Sequence, residues 1–533
     1  MSDPTCPSSE RNETVWSFCF ASLDEAASVA LAADLAGVIG TGDCLALDGS
    51  VGLGKSTFAR ALLRGRAEDP ALEVPSPTFT LVQTYDMPSD QEDQESLEIS
   101  HFDLYRIGDF DELYEIGLEE SWQQGVALIE WPDRAEELLP EDALWLQFEP
   151  GADDDHRKLT LSGTGAWGNR LQRLCLKRAL LIASGWGGGM ITPIKGDLSP
   201  RSYGRVSLSD QASQDSFEVD NAGAQKHAIL MDMPARDPGP ILADGRVYDL
   251  VAHRVTALAP MVSIAEGLAD LGLRVPQIYG VDQTHGLMLW EDFGGVTLAE
   301  GPEEPIAERY IATAQQLAML HRQPCPKRFE GTGGTHLLSP YDHAAFLVEL
   351  DVFLDHYWPH VKGRACPQEE RARFTALWAP LLNRLQEAEQ VLVLRDVQDP
   401  NCFWLGDAPD GQPVGFIDFQ DCLIGPVAYD LAALATDARV TISDRLEEDI
   451  LSAYHSARDI TGESREDFAV LYCLCVAQRT MKNLGAFARA ADQWNRPSYL
   501  AHIPRSLNYL GKALAHPLLS DLKDWYDSHQ LDG

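Results

Sequence analysis

The sequence lacks the features of membrane-spanning, secreted and zinc-binding proteins. Among its 533 residues, no uncharged apolar run approaches the roughly 18 residues that a membrane-spanning helix requires. Residues 1–10 contain no basic stretch followed by an apolar core, so we expect no export signal. The ten cysteines form no CxxC pair and the 14 histidines form no HxH or HExxH pair, which disfavours structural zinc. We therefore expect a protein of the reducing cytoplasm.

Basic residues are scarce. Lys and Arg number 42 against 82 Asp and Glu, which gives a formal net charge of −40. Such a surface repels phosphate backbones and anionic lipid, so we expect neither direct DNA binding nor membrane binding. A nucleotide site is still allowed, because a local loop and Mg²⁺ can bind phosphates within an acidic protein.

Length and composition predict a folded protein of several domains. Hydrophobic residues make up 45% and charged residues 23%, the balance of a globular protein. We predict an N-terminal domain over 1–165, a linker over 166–190 with a basic helical patch and a Gly-rich run, and a C-terminal domain over 191–533.

Apolar periodicity predicts the secondary structure around the motifs. In the N-terminal domain it predicts a helix at 25–38 and strands at 44–47, 78–82, 99–104 and 126–130. In the C-terminal domain it predicts strands at 228–231 and 286–290, and mostly helices from 306 onward.

A glycine-rich motif, GxxxxGK[ST], lies between the first predicted strand and a predicted helix. Its glycines allow successive N–H groups to point into one concavity, and the helix N-terminus adds positive potential. We predict that Lys55 reaches the outer phosphates of ATP and acts in catalysis, and that the Ser56 hydroxyl binds Mg²⁺. The residues predicted to bind ATP here are Gly49, Ser50, Val51, Gly52, Leu53, Gly54, Lys55, Ser56 and Thr57.

Two acidic residues follow predicted strands of the same domain. A P-loop NTPase needs an acid at a strand end to bind Mg²⁺ or its waters, and Glu130 is the better candidate, with Asp103 second. A solvated strand end is the alternative for either acid. Residues 76–80 form either a hydroxyl-bearing switch loop near the γ-phosphate or an ordinary proline turn. Trp122 and Trp131 are predicted core or interface anchors.

The first 165 residues resemble a known family. The P-loop, Ser-Pro-Thr-Phe-Thr at 76–80, His-Phe-Asp-Leu-Tyr-Arg at 101–106 and Glu130-Trp131 occur in the order seen in the bacterial TsaE family, the ATPase subunit for tRNA threonylcarbamoyladenosine synthesis. The resemblance implies an α/β P-loop NTPase domain whose ATP hydrolysis supports the threonylcarbamoyl-transferase complex. Its partners would be the proteins of that complex, with tRNA contacted only indirectly. Asp103 and a catalytic Glu130 would position Mg²⁺ and water.

A second set of polar residues follows two apolar runs of the C-terminal domain. One run leads to Asp396, Asn401 comes five residues later, and the second run ends at Asp418. This spacing is typical of kinase-type phosphoryl transfer. We predict that Asp396 orients the proton of the attacking hydroxyl, and that Asn401 and Asp418 bind Mg²⁺ on the phosphates of ATP. Asp421 and Asp430 are predicted to support these residues or to cap helices.

The C-terminal domain also resembles a known family. Its matching stretches include 196–203, 230–234, 291–292 and 418–421. They are similar to the aminoglycoside-phosphotransferase-like kinases, and most of all to the branch that phosphorylates the anomeric hydroxyl of N-acetylmuramate and N-acetylglucosamine. The resemblance implies a two-lobed, protein-kinase-like α+β fold. ATP would lie under the turn that carries Ser199 and Arg201, near a hinge at Glu291.

Two positions depart from the pattern of this second family. Leu394 replaces the His that usually precedes Arg-Asp, and Gln398 replaces a His on the acceptor side. Because the three polar residues of the catalytic motif are present, we favour an active amino-sugar kinase of cell-wall recycling. A non-catalytic scaffold module and a kinase for another alcohol or amine remain as alternatives. Glu349 and Gln478 are candidate sugar contacts, or else satisfied helix-surface groups.

Overall fold

Two compact units make up the computed structural model of the chain. It describes residues 15–87, 96–194, 201–208, 226–242, 244–406 and 411–531. Unit 1 comprises Met1–Gly196, Ser202–Asp232 and Ile278–Trp290, and unit 2 comprises Asp197–Arg201, Met233–Gln277 and Glu291–Gly533.

A seven-stranded sheet is the centre of the first part of unit 1. Its strands are β1 (Trp16–Leu23), β2 (Cys44–Asp48), β3 (Val82–Met87), β4 (Leu97–Asp103), β5 (Val126–Glu130), β6 (Leu144–Pro150) and β7 (Arg157–Gly163). Their spatial order is β1-β7-β6-β2-β5-β4-β3. The four inner strands from β6 to β4 are parallel, and the outer pairs are antiparallel. The associated helices are α1 (Glu25–Ala36), α2 (Lys55–Ala67), α3 (Asp111–Glu115), α4 (Leu118–Gln124) and α5 (Trp167–Ala183).

The inner strands are apolar along their length because both of their faces are covered. All five residues of β5 are buried, as are the first four of β2. Leu45 and Leu128 belong to the core on one face together with Phe58 of α2, and Ala127 and Ile129 belong to the core on the other face. Parallel pairing brings the carboxyl ends of β2, β4 and β5 to one edge of the sheet.

The strand predicted over 78–82 is wrong. Residues 77–80 form a turn in which the Leu81 N–H donates to the carbonyl of Pro77 at 2.7 Å, and β3 begins only at Val82. Leu81 has a φ of 65°, which is incompatible with an extended strand at that point. The other three strands predicted in this domain correspond to β2, β4 and β5.

A five-stranded sheet is associated with the second part of unit 1. Its strands are β8 (Met190–Ile194), β9 (Ser202–Leu208), β10 (Lys226–Asp232), β11 (Ile278–Asp282) and β12 (Leu287–Glu291), in the order β11-β12-β10-β9-β8. The predicted strands at 228–231 and 286–290 correspond to β10 and β12.

Most of the predicted linker is the 17-residue helix α5, which packs on both sheets of unit 1. Leu171 is buried in the core of the seven-stranded sheet, whereas Leu180 is buried with residues of the five-stranded sheet. Arg173 and Lys177 both pair with Asp232 at the end of β10, with Lys177 Nζ 2.7 Å from Oδ2. The stretch therefore packs against both sheets, and the assignment of 166–190 as a linker stays a prediction. The boundaries at 165 and 191 remain predictions.

Unit 2 is mostly helical, as the sequence predicts from 306 onward. Its helices are α6 (Tyr248–Val251), α7 (Leu258–Asp270), α8 (Ala307–His321), α9 (His343–Val352), α10 (Trp358–Lys362), α11 (Gln368–Glu387), α12 (Tyr429–Ala435), α13 (Asp444–Arg458), α14 (Glu463–Trp494), α15 (Ile503–Leu514) and α16 (Ser520–Ser528). Its strands are β13 (Arg328–Gly331), β14 (Gly334–Leu337), β15 (Gln390–Val393), β16 (Cys402–Trp404), β17 (Val414–Phe416) and β18 (Leu423–Pro426). They form three antiparallel pairs, β13-β14, β15-β18 and β16-β17. No helix within the described residues combines the length and apolarity needed to cross a membrane.

A buried ion pair between α5 and α1 is predicted to stabilise unit 1. Arg178 is fully buried, lies 2.5 Å from Asp34, and donates to the carbonyls of Gly187 and Gly189 at 2.8 Å. Burial raises the pKa of Asp34, so that carboxylate depends on its partner. Arg178→Ala should lower the free energy of unfolding by about 3 kcal/mol, because it leaves a buried charge unpaired. Urea unfolding followed by circular dichroism measures this.

Lys158→Ala is the matched control. Lys158 pairs with Glu149 at 2.6 Å, and both side chains are 42% exposed. Removal of this exposed pair should leave the free energy of unfolding almost unchanged, because water and salt screen it. Equal losses in the two variants would contradict a stabilising role for the buried pair.

Candidate active sites

The glycine-rich turn connects β2 directly to α2. Gly49 has a φ of 144°, and a Cβ at this position would lie 2.7 Å from the carbonyl oxygen of Phe148. Gly54, which precedes α2, has a φ of 96° in the left-handed region. Both positions therefore require glycine for backbone reasons, as a P-loop does.

Lys55 lies across this turn. Its Nζ donates to the carbonyl oxygens of Gly49 at 2.5 Å and Ser50 at 3.0 Å, and it lies 3.9 Å from the centre of the Trp131 ring. Burial lowers the pKa of Lys55, and the charges of nearby carboxylates, Glu130 first, oppose that shift. The ammonium group is thus already fixed at the phosphate-binding loop.

Asp103 and Glu130 lie side by side, because they are register partners in the parallel strands β4 and β5. Both are buried. The Ser56 hydroxyl donates to Oε2 of Glu130 at 2.8 Å, and Nε2 of His101 lies 3.0 Å from Oε1. Glu130 is therefore fixed through both carboxylate oxygens, one of them bound to the hydroxyl predicted to bind Mg²⁺.

The segment 76–80 contacts the second acid. The Thr78 hydroxyl donates to Oδ2 of Asp103 at 2.7 Å, and the Ser76 hydroxyl lies 3.3 Å from the same oxygen. The backbone N–H of Tyr105 donates to Oδ1 at 3.1 Å. These contacts favour the switch-loop interpretation over an isolated proline turn.

A cleft of about 460 Å³ joins these groups. It is lined by Val51, Gly52, Gly54, Lys55, Ser56, Thr57, Ser76, Thr78, Asp103, Tyr105, Glu130 and Trp131. The sequence interpretation treated Trp131 as a core or interface anchor and assigned His101 no role. Trp131 packs against the core, as predicted, and also lines the cleft over Lys55, a role that its position directly after Glu130 could have indicated. The pairing of His101 with Glu130 depends on strand register, which the local sequence does not reveal.

The second site begins at the turn after β15. The backbone N–H groups of Leu394 and Arg395 donate to the carboxylate of Asp430 at 2.6 and 2.8 Å. Arg395 has a φ of 78°, a strained conformation for a residue with a side chain. Asp430, predicted as a support or a cap, fixes the backbone that leads to Asp396.

Asn401 and Asp418 approach each other because β16 and β17 pair. The backbone N–H of Ile417 donates to the carbonyl of Asn401 at 2.9 Å. Nδ2 of Asn401 donates to the carbonyl of Asp396 at 2.9 Å, which leaves its Oδ1 as the atom able to bind Mg²⁺. Oδ1 of Asp418 lies 3.0 Å from Nη2 of Arg201, and Asp418 has a φ of 58°. The structure thus brings the three predicted residues of this motif together.

Glu349 and Gln478 are fully buried in unit 2. Glu349 pairs with Arg395 and with Lys482, the latter at 2.9 Å, and accepts hydrogen bonds from Tyr341 and from Gln478. Burial alone would raise the pKa of Glu349, but the charges of Lys482 and Arg395 lower it well below its ordinary value. Because neither side chain is exposed, the expectation of a helix-surface group is wrong, and a sugar contact stays a prediction.

Three residues of the C-terminal domain are predicted to bind ATP: Ser199, Arg201 and Glu291. Ser199 lies outside the described residues. The Glu291 carboxylate is bound by Arg274, 2.8 Å from Nη1 to Oε2, and by the N–H of Gln277 at 3.1 Å, so its side chain is already paired. Arg201 is placed beside Asp418.

The described residues offer few side chains that could bind a metal ion. Within the described ranges, no group of three or more His, Cys, Asp or Glu side chains is placed to hold a metal ion. Mg²⁺ usually binds through one or two carboxylates together with substrate phosphates and water. The pairs formed by Asp103 with Glu130, and by Asn401 with Asp418, fit that mode of binding.

Comparison with known proteins identifies the first domain. Residues 22–159 match the family model "Threonylcarbamoyl adenosine biosynthesis protein TsaE". The tRNA threonylcarbamoyladenosine biosynthesis protein TsaE of Bacillus subtilis is 36% identical over 135 residues, which are 25% of this chain and 76% of that protein. Through this domain, the chain belongs to the TsaE family. The solved structure of Bacillus subtilis YdiB aligns over 31% of this chain and 96% of its own, with 28% identity and a TM-score of 0.24.

The part of the chain after the TsaE domain is similar to phosphotransferases. Residues 206–468 match the family model "Phosphotransferase enzyme family". The N-acetylmuramate/N-acetylglucosamine kinase of Caulobacter vibrioides is 29% identical over 370 residues, which are 67% of this chain and 97% of that protein. The chain is thus a fusion of a TsaE-like and a kinase-like domain, which confirms the predicted family resemblances and the predicted fold class.

Substitution of Gly49 tests the geometry of the TsaE-family site. Gly49→Ala should lower the affinity for a fluorescent ATP analogue at least about tenfold, because its Cβ would collide with Phe148 and distort the loop. Gly40→Ala is the control, since a Cβ there meets nothing within 4 Å. Titrations of the analogue in a chain that also carries Asp418→Ala restrict the measurement to the first site. Unchanged affinity in Gly49→Ala would contradict the assignment of this turn.

Proposed function

We propose that the chain is a bifunctional enzyme. The TsaE domain would hydrolyse ATP in support of tRNA threonylcarbamoyladenosine synthesis, and the C-terminal domain would transfer phosphate from ATP to the anomeric hydroxyl of N-acetylmuramate or N-acetylglucosamine. The observation that carries this proposal is the match of two separate ranges, 22–159 and 206–468, to the two families. A cytoplasmic location and a role in cell-wall recycling are parts of the proposal.

In the TsaE domain, Lys55 would neutralise the outer phosphates of ATP. Glu130 and Asp103 would position the attacking water, and Ser56 would turn its hydroxyl from Glu130 to a bound Mg²⁺. Mg²⁺ supplies charge neutralisation of the triphosphate during phosphoryl transfer. The domain would act with proteins of the threonylcarbamoyl-transferase complex, which would contact the tRNA, consistent with a net charge of −40.

In the kinase domain, Asp396 would accept the proton of the sugar's anomeric hydroxyl. The hydroxyl oxygen would form a bond to the γ-phosphorus as the bond to the β–γ bridging oxygen breaks, releasing ADP. Asn401 and Asp418 would bind Mg²⁺. Burial raises the pKa of Asp396, but nearby cations, Lys482 and Arg479 first, outweigh burial and lower it to about 2. The carboxylate would therefore be ionised and able to orient the hydroxyl at neutral pH.

Two substitutions should separate the activities in the full chain. Lys55→Ala should reduce phosphate release in the absence of sugar at least about 100-fold and leave sugar phosphorylation unchanged, because it removes charge stabilisation from one site only. Asp396→Asn should do the reverse, with a loss of about 100-fold or more in labelled sugar phosphate. The assignment of the sites would be wrong if either substitution reduced both activities equally.

An acceptor screen tests the substrate of the kinase domain. The chain carrying Lys55→Ala is supplied with γ-labelled ATP and, separately, with N-acetylmuramate, N-acetylglucosamine, choline or an aminoglycoside. We expect labelled product with the two amino sugars. Product with choline or the aminoglycoside alone would assign another acceptor. No product with any acceptor, while the wild type still hydrolyses ATP, would favour a scaffold, an alternative motivated by Leu394 and Gln398.

A further inference from the structure

Arg479 of α14 contacts Asp396 at two points. Its Nη1 donates to the carbonyl oxygen of Arg395, the residue before Asp396, at 2.6 Å. Nη1 and Nη2 both lie 3.4 Å from Oδ1 of Asp396. The planar guanidinium thus contacts the backbone carbonyl of Arg395 and one side-chain oxygen of the next residue, Asp396. Arg479 itself is 3% exposed and lies over the ring of Tyr429 at 5.8 Å, so its own position is fixed by packing.

The two oxygens of the Asp396 carboxylate have different surroundings. Oδ1 faces Arg479, whereas Oδ2 accepts no hydrogen bond from any residue in the described part of the chain. The side chain of Asp396 is 21% exposed, whereas the side chain of Arg479 is 4% exposed. Oδ1 is therefore held by the buried Arg479, and Oδ2 is available to a hydroxyl of the acceptor.

The other cations near Asp396 are already engaged. Arg395 and Lys482 both pair with Glu349. Arg254 pairs with Asp421 at 2.9 Å. The charged groups facing Asp396 or its immediate neighbours are Arg254, Glu349, Arg395, Asp430, Arg479 and Lys482. Of these, Arg479 is the one that contacts the Asp396 side chain directly.

The backbone and the side chain of this turn are fixed by different residues. Asp430 binds the N–H groups of Leu394 and Arg395. Leu394 occupies the place of the usual His and offers only an apolar, buried side chain. Nothing at position 394 can therefore donate a side-chain hydrogen bond, and orientation of the carboxylate must come from elsewhere.

We propose that Arg479 is a positioning residue for the kinase reaction: it fixes Oδ1 of Asp396 so that Oδ2 faces the hydroxyl to be phosphorylated. This inference rests on the proposed kinase function. A carboxylate free to rotate would spend much of its time in orientations that cannot accept the proton, and such loss of alignment reduces kcat more than substrate binding.

The test uses steady-state kinetics of the full chain with labelled ATP and the best amino sugar. Arg479→Gln should lower kcat about 10- to 100-fold, with the KM for sugar within about threefold of wild type. Arg479→Lys, which keeps the charge but loses the fork, should recover part of kcat. In a chain that already carries Asp396→Asn, Arg479→Gln should have almost no further effect, because it acts through the missing carboxylate.

Arg458→Gln is the matched control. Elsewhere in unit 2, Nη2 of Arg458 donates to both carboxylate oxygens of Glu389, at 2.7 and 2.9 Å, and its Nη1 donates to the carbonyl of His321 at 2.9 Å, so Arg458 also binds one carboxylate and one backbone carbonyl. It should leave kcat unchanged. If Arg479→Gln does not fold, judged by its melting temperature, the comparison is made with Arg479→Lys alone, in both the wild-type and the Asp396→Asn backgrounds.

The outcomes distinguish this inference from the proposed function. An active wild type with unchanged kcat in Arg479→Gln, or with the same fold loss in the Asp396→Asn background, overturns the positioning role alone. A wild type that phosphorylates no acceptor overturns the kinase function and the positioning role together.

Discussion

Both sites depend on carboxylates that are removed from water and held by specific donors. In the first site, Glu130 is bound by a hydroxyl and an imidazole. In the second, Glu349 is surrounded by Arg395 and Lys482. A buried charge without such partners destabilises a fold by several kcal/mol, so each donor constrains the element that carries it. The strand ends, the turn after β15 and the helix α14 are placed by these pairs as much as by apolar packing.

The pairing in each site also explains how an acidic chain can approach a triphosphate. With a net charge of −40, long-range attraction of ATP is not expected. Under the proposed function, attraction must be local, and the cations placed to provide it are Lys55 at the glycine-rich turn of unit 1 and Arg201 beside Asp418 in unit 2. Screening by salt reduces distant repulsion more than these short contacts.

The two family resemblances and the fold class could be predicted because their motifs lie beside strands with a clear local pattern, whereas the roles of the site residues stay predictions. The P-loop follows β2, Asp103 and Glu130 end β4 and β5, Asp396 and Asp418 come shortly after β15 and β17, and apolar strands such as β2 and β5 are easy to locate. Sequence reasoning failed where the answer depends on contacts between distant residues. Without a known register, nothing marked His101 as the partner of Glu130.

The predicted linker over 166–190 and the cluster around Glu349 are two more places where contacts between residues distant in sequence could not be predicted. A basic helix followed by glycines is typical of a boundary. The charges of α5 are nevertheless satisfied by carboxylates far away in sequence, Asp34 and Asp232. Likewise, Glu349 and Gln478 are polar residues in helical patterns, and such residues are usually predicted to be exposed to solvent. Only the fold places Arg395 and Lys482 against Glu349, and Glu349 against Gln478.

Backbone strain bears on whether the second site is catalytic or a scaffold. Arg395 and Asp418 both have positive φ values, 78° and 58°, and each such conformation costs on the order of 1–2 kcal/mol for a residue with a side chain. A scaffold has no need of strain at the two positions that flank a nucleotide site. The proposed kinase function gives this strain a use, because strained backbone conformations cluster at functional sites. Asp430 binds the backbone of Arg395, and Arg201 binds the side chain of Asp418, so both strained residues are held by specific partners. This strain favours a catalytic role over a purely structural one, despite Leu394 and Gln398.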